Sequence, residues 1–576
     1  VGFKMFHTYD GILRYSSFVD LQRVGFASFI GCVFSYLGHF FLLQFDYFQK
    51  VYIGGREIAL ASIVCVLLLW AVRVLVKTVY DVSIDTFNAR PAIIFGVDEC
   101  GMGLAKLVRN DKSLRMRLFG FMSNSNEVRH KVLMGLHVYS YDDVERLIHQ
   151  KKMECLLVSQ SSVGVFRNDK TLQDLLIANG VHIFMPRTNE EWNPAAPDAT
   201  LKEVSIEDLL PRDEISIDLK SVADTLHGKC ILVTGSAGSI GSEIVKQLCQ
   251  FNPRELVLID SAETPQHDIR LMMAKRYPHI KAETIVTSIT GQLRMENIFR
   301  RFRPDYVFHA AAYKHVPMME NNPTESVENN IYGTKVLADM AVKYGTKKFV
   351  MISTDKAVNP TNVMGCSKRI CEMYVQSLNN AVRSGKVEGC TQFVTTRFGN
   401  VLGSNGSVIP LFKQQIKAGG PVTVTDPNII RYFMLIPEAC ELVLEAGVKG
   451  NGGEIFVFDM GKPVKIADLA QRMINLSGAK NVEIKYTGLR AGEKLYEEVL
   501  NDKESTKPSF HEKIRIANVR EYDYSEVERD IEELIEVSKQ YDDMLTVKKM
   551  KEIVPEFKSN NSVYEALDAS TDTAKA

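Results

Sequence analysis

Residues 229–245 read KCILVTGSAGSIGSEIV. An apolar β-branched run ends in glycines at 235, 238 and 241, and a helical pattern starts at once behind them. Glycine in this order lets backbone amides approach a pyrophosphate at a helix N-terminus and lets that helix pack on its strand. A second apolar run, Glu255 to Asp260, ends in a carboxylate nineteen positions after Gly241. An acid there accepts the ribose 2′-hydroxyl and repels a 2′-phosphate, which points to NAD rather than NADP. Strand, glycines, helix and distal acid in sequence make a parallel α/β dinucleotide-binding sheet the expected core, beginning at 229.

Upstream the texture differs. Residues 24–45 (VGFASFIGCVFSYLGHFFLLQF) carry no formal charge, and a second apolar stretch covers about 58–77, interrupted by Arg73. Each is long enough to cross a hydrocarbon core, so residues 1–80 are expected to hold a transmembrane helical hairpin. Arg14, Arg23, Arg73, Lys77 and Arg90 flank its open side, with Lys50 and Arg56 in the turn, so the positive-inside rule puts the C-terminal bulk in the cytoplasm of a multi-pass inner-membrane protein. From 90 to 188, short runs such as Ala92–Phe95, Leu118–Met122, Cys155–Val158 and Val181–Met185 alternate with helical patterns, giving a first Rossmann-like domain. Its turn has Asp98 where a dinucleotide fingerprint wants glycine, so no cofactor is assigned to it.

Composition narrows the function. Lys+Arg and Asp+Glu number 69 and 70, so no basic excess points to nucleic acid. The ten cysteines form no CxxC and no zinc spacing, which argues against a disulfide scaffold or structural metal and suits a reducing compartment. Residues 189–228 read as a linker, 229–505 as the catalytic domain with a small C-terminal substrate subdomain, and 506–576 as a charged tail with a polar end.

A further apolar run ends in Ser353-Thr354-Asp355-Lys356, and Met364 and Lys368 follow on a helical pattern. Parallel sheets present ligands at the C-terminal ends of their strands, so these groups are expected beside the nicotinamide. Here the chain resembles an extended short-chain dehydrogenase/reductase, and more closely the membrane-bound UDP-N-acetylglucosamine 4,6-dehydratases of capsule, O-antigen and protein-glycan synthesis. The motifs are TGSAGSIGSE (234–243), HAAAYKHVPMME (309–320), NNIYGT (329–334), STDKAVNPTNVMGCSK (353–368), RFGNVLGSNGSVIP (397–410) and GLRAGEKLYEE (488–498). The resemblance spans nearly the whole chain. Members of that family usually begin with four spans, and this chain opens at Val1, so an upstream segment with two more spans is expected.

The resemblance implies hydride removal from sugar C4, loss of water across C5 and C6, and hydride return to C6. It implies Asp355 as the acid for the 6-hydroxyl, Lys356 as the base at C5, and Lys368 as the holder of the nicotinamide ribose. Gly235, Gly238, Ser239, Ile240, Gly241, Asp260, Ser288, Ile289, Ala310 and Ala311 match cofactor positions. Lys314 and Asn400 match positions near hexose and phosphates, and Arg431, Arg490 and Glu493 those that clamp the uridine diphosphate, where a guanidinium fits well. His315 reads as structural. Two departures stand out. Met364 replaces the usual tyrosine and cannot accept the 4-hydroxyl proton, leaving Thr354, a water or Lys356. Thr287-Ser288-Ile289 replaces a segment that often carries an adenine-contacting Asp. The expected partners are UDP-N-acetylglucosamine, membrane lipid and further copies of the chain. A 4-epimerase on the same fold, which needs no Asp–Lys pair, and a non-catalytic nucleotide-sugar-binding scaffold are the alternatives.

Overall fold

The computed structural model describes residues 18–42, 55–86, 89–186 (without 124, 126, 127, 129 and 130), 201–209, 215, 217–498 (without 480) and 505–568. Two helices lead: α1 (Phe18–Leu42) and α2 (Gly55–Thr86). Within them Val24–Phe41 and Gly55–Val76 are long and apolar enough to cross a membrane. Large apolar side chains such as Phe29 (68% exposed) and Leu60 (65% exposed) point outward, uncovered by any core among the described residues. A helix that is hydrophobic all round suits lipid. The expected hairpin turn, with Lys50, and the end of the first expected span fall outside the described residues.

The chain divides into two compact units, Val1–Val163 with Val181–Glu203, and Gly164–Gly180 with Val204–Ala576. In the first, β1 (Arg90–Phe95) leads into α3 (Glu99–Asn110), followed by β2 (Met116–Met122), β3 (Val132–Leu133), β4 (Leu136–Tyr139), β5 (Cys155–Val158), β6 (His182–Pro186) and β7 (Leu201–Glu203). They form a sheet of order β3-β4-β2-β1-β5-β6-β7, parallel at the centre and antiparallel at both edges. Asp98 caps α3: its Oδ1 accepts the Gly101 N–H at 2.8 Å and its Oδ2 accepts the Ser161 hydroxyl. The carboxylate thus occupies the helix end that a pyrophosphate would use. β7 lies within the stretch read as a linker; it pairs with β6 through Pro186 and Leu201. Further along that stretch, a helix at Leu219–Leu226 buries Val222 and Leu226 in the second unit's core.

The second unit is built on β8 (Cys230–Thr234), whose residues are all buried, and α4 (Ser239–Leu248). β9 (Glu255–Asp260), β10 (Ala282–Val286), β11 (Tyr306–His309), β12 (Lys348–Ile352) and β13 (Gln392–Arg397) follow, with α5 (Val363–Arg383) between the last two. β14 (Ile455–Phe458), β15 (Ser505–Pro508) and β16 (Ile514–Asn518) complete a sheet of order β10-β9-β8-β11-β12-β13-β14-β16-β15. β10 through β14 in that order run parallel, and β16 pairs antiparallel with β14. Strand order reverses beside β8, so the ends of β8 and β11 open the crevice where doubly wound sheets bind ligands.

Beyond residue 505 the chain does not behave as a tail. After β15 and β16 come α6 (Tyr524–Ser538) and α7 (Asp543–Ile553), which bury Val527, Ile531, Leu534, Val547 and Met550 in the same core as Phe349 and Cys366. Their solvent faces hold the charges that dominate the sequence, while the apolar stripe is hidden at helical spacing.

Candidate active site

The glycine turn is assembled backbone against backbone. Gly235 sits at φ +65°, and a Cβ there would lie 2.8 Å from the Ala310 carbonyl; one on Gly241 would lie 2.0 Å from the Gly235 oxygen. Gly238 caps α4 without a side-chain bond, so the first N–H groups of the helix face outward. Asp260 stands beside this turn: its Oδ2 accepts the Ala237 N–H at 3.0 Å and its Oδ1 the Ala262 N–H at 2.9 Å. A cradle that a Cβ would fill, free helix amides and an adjacent carboxylate fit a dinucleotide.

A cleft of about 720 Å³ opens there. It is lined by Gly235, Gly238, Ser239, Ile240 and Gly241 on the turn side, and by Thr354, Lys356, Met364, Lys368 and Asn400 across from them. Ala310, Lys314 and His315 also line it. Ala311 turns toward the core, its N–H reaching Thr234 Oγ1 at 3.4 Å. Ser288 and Ile289 are not in the wall. Ser288 Oγ bonds Thr290 Oγ1 at 2.8 Å, and Ile289 is buried over Gly333.

Parallel strands β12 and β13 deliver the polar pair. Asp355, 1% exposed, takes a hydrogen bond from Thr354 Oγ1 at 2.8 Å and from Lys356 Nζ at 3.0 Å. Lys356 Nζ also donates to Asn400 Oδ1 at 3.4 Å and lies 3.6 Å from Glu497. Burial alone would lower the Lys356 pKa, but the Asp355 and Glu497 charges outweigh it and hold the ammonium above its ordinary value. Lys356 therefore holds its proton more firmly than a free lysine does, one hydrogen bond from Asp355. Asn400 Nδ2 is buried with no acceptor, leaving a donor for a bound molecule.

On α5, Lys368 Nζ donates to the Ile352 carbonyl at 2.9 Å, and burial lowers its pKa. Met364, in the first turn of the same helix, presents a thioether to the cleft. Lys314 is exposed at the cleft, yet the surrounding protein still desolvates its ammonium and lowers its pKa. Desolvation and the neighbouring Lys314 charge lower the His315 pKa as well.

The three residues matched to a diphosphate clamp lie outside the wall of this cleft. Arg431 turns its guanidinium inward, donating to the carbonyls of Ile430 (2.8 Å), Lys494 (2.7 Å) and Leu495 (3.1 Å), with Glu493 at 3.5 Å. Arg490 is exposed on the loop whose N–H bonds Glu493 Oε2 at 3.1 Å. Glu497, which joins Lys356, is not among the residues that the sequence singles out. Its signal is its place in the GLRAGEKLYEE motif, three residues past Lys494. His309 is a second such residue. It is fully buried between Thr234 Oγ1 (2.8 Å) and Thr334 Oγ1 (2.9 Å), and burial pulls its pKa down to about 3.

Comparison with known proteins places the chain in a family. A family model described as polysaccharide biosynthesis protein matches residues 231–519. The capsular polysaccharide biosynthesis protein CapD of Staphylococcus aureus is 41% identical over 457 residues, covering 78% of this chain and 75% of its own. A UDP-N-acetylglucosamine 4,6-dehydratase (inverting) of Campylobacter jejuni is 34% identical, covering 48% of this chain and 79% of its own. A UDP-glucose 4-epimerase of Rickettsia canadensis is 33% identical, covering 48% and 80%. The chain belongs to the polysaccharide biosynthesis protein family, among the extended short-chain dehydrogenases/reductases that comprise nucleotide-sugar dehydratases and epimerases.

Proposed function

We propose that the chain is a lyase, an NAD-dependent 4,6-dehydratase of UDP-N-acetylglucosamine. Its product is a UDP-2-acetamido-2,6-dideoxy-4-hexulose for capsule, O-antigen or protein glycans. The observation that carries this reading is the Asp355–Lys356 pair, 3.0 Å apart, whose lysine lines one cleft with the glycine turn and Lys368 while the aspartate is buried beside it. Bound NAD supplies the acceptor and later the donor of a hydride. The chain's own groups handle protons. Thr354, a water or Lys356 takes the proton of the 4-hydroxyl. Once C4 is a ketone, Lys356 in its neutral form removes the acidified C5 proton. Asp355, in its protonated form, gives a proton to the departing 6-hydroxyl, so that one water leaves and a C5–C6 double bond forms. The shared hydrogen bond lets the resting proton move from lysine to aspartate, which prepares both roles at once. Lys368 holds the nicotinamide ribose. Gly235, Gly238, Gly241 and Asp260 hold the rest of the cofactor, with Ser239, Ile240, Ser288, Ile289, Ala310 and Ala311 around it. Lys314 and Asn400 receive the hexose and phosphates, and Arg431, Arg490 and Glu493 the uridine diphosphate after the loop rearranges.

The same proposal sets α1 and α2 in the lipid of the inner membrane, the catalytic unit in the cytoplasm, and several copies together. Incubation with UDP-N-acetylglucosamine in deuterated water, read by NMR, tests the chemistry. A 4-keto-6-deoxy sugar with deuterium at C5 is expected; its absence sinks the reading. The match to an epimerase supports 4-epimerisation as a second reading, for which the same sample would contain the C4 epimer with all its oxygen retained.

A further inference from the structure

Behind the strand ends that present Thr354, Asp355 and Lys356, one carboxylate gathers four donors. Glu372, on α5 one turn past Lys368, is 1% exposed. Its Oε1 accepts Ser353 Oγ at 2.7 Å and Arg397 Nε at 2.8 Å, and its Oε2 accepts Arg397 Nη2 at 2.6 Å and Arg369 Nη1 at 3.2 Å. Ser353 is the residue before Thr354. Arg397 ends β13, and the chain after it builds the other wall of the pair. The Phe398 carbonyl accepts the Asp355 N–H at 3.2 Å, a Cβ on Gly399 would lie 2.7 Å from Asp355 Oδ2, and Asn400 Oδ1 takes Lys356 Nζ. Three elements therefore meet at one side chain: the end of β12, the end of β13, and the helix that carries Met364 and Lys368.

Stability alone explains this poorly. Burying one carboxylate with two guanidiniums costs desolvation that a well-packed apolar cluster of equal volume avoids, whereas the directional bonds set a geometry. We infer that Glu372 is a positioning residue for the reaction, clamping the Asp355–Lys356 pair against Asn400 and Lys368 through Ser353 and Arg397. The inference rests on the dehydratase reading for its kinetic arm only.

Removing Glu372 itself would strand two buried cations and endanger folding. Ser353→Ala is the cleaner change, since it cuts the tie to β12 and leaves the ion cluster whole; Ser353→Thr keeps the hydroxyl. Full-length protein in detergent with its cofactor is used for both. Hydrogen–deuterium exchange over residues 350–360, without substrate, is expected to run at least tenfold faster in Ser353→Ala and near the wild-type rate in Ser353→Thr. Turnover of UDP-N-acetylglucosamine is expected to show kcat down at least tenfold in Ser353→Ala with KM within about twofold, restored by Ser353→Thr. Unchanged exchange in Ser353→Ala overturns the inference, whatever the substrate. So does full kcat, or a loss confined to KM. If the wild type makes no keto sugar, the dehydratase reading fails and the exchange result alone decides the clamp.

Discussion

Glu497 Oε1 lies 3.6 Å from Lys356 Nζ and 3.7 Å from Arg431 Nη2, so one buried carboxylate faces both the expected C5 base and the expected diphosphate clamp. Its charge helps keep Lys356 protonated. Lys356 must pass its proton to Asp355 to act, and loss of that one proton to solvent leaves the pair without its acid, so the falling limb of kcat against pH reports this pKa. Glu497→Gln removes one of the two charges that raise it. The limb is expected to move to lower pH by measurable steps, with KM also rising because Arg431 loses a neighbour. A limb that stays in place or moves to higher pH contradicts the assignment of Lys356 as the base.

On the proposed chemistry Asp355 and Lys356 act on different atoms, which isotopes can separate. Loss of a positioned acid or base costs about 10²–10⁴ in rate. Asp355→Asn is expected to abolish turnover yet still exchange the C5 proton slowly in deuterated water. Lys356→Ala is expected to lose turnover and exchange together. Both should keep their cofactor, measured by release on denaturation. Exchange by the lysine variant would give the C5 base to another residue.

The glycine turn leaves no space for a methyl group. Gly241→Ala would force its Cβ into the Gly235 carbonyl, a contact of 2.0 Å. The turn must open, and the helix amides then lose their aim. Protein purified from this variant is expected to release no dinucleotide, while wild type releases NAD in preference to NADP. Chromatography of the denatured supernatant reads both outcomes.

The C-terminal helices belong to the core. Leu534→Ala should cost about 2–5 kcal/mol, as buried leucine truncations do. Truncation after residue 519 removes Leu534 together with Ile531 and Met550, and is expected to give aggregated or protease-sensitive protein. Thermal melts and limited proteolysis measure the two effects. A stable, cofactor-bound truncation would return this segment to an appendage.

Acid should act through His309. Its pKa of about 3 in the fold, against an ordinary 6.5, means that the unfolded chain binds the extra proton. Stability from this group is complete above about pH 6.5 and is lost as pH falls toward 3. Between pH 6.5 and 5 that loss is about 2 kcal/mol. His309→Gln can bond both threonines without titrating, so its melting temperature should fall less than wild type over that interval. Parallel curves would remove His309 from the account.

What was legible in the sequence was local. The dinucleotide turn, its helix and the acid at the end of the next strand are consecutive along one chain segment, and short-range geometry dictates them. The two apolar helices follow from length and the absence of charge. Asp355 and Lys356 are neighbours in sequence, so their pairing needed no folding to be seen. Only the tertiary structure brought Glu497 to Lys356, joined Ser353 to Glu372 and Arg397, and turned Arg431 onto backbone carbonyls. These partners come from distant segments, and a charge in a sequence carries no record of which opposite charge will share its burial. The same limit explains the region after 505. An amphipathic helix and a solvated tail show similar charge content, and the difference lies in whether a core exists for the apolar stripe to cover.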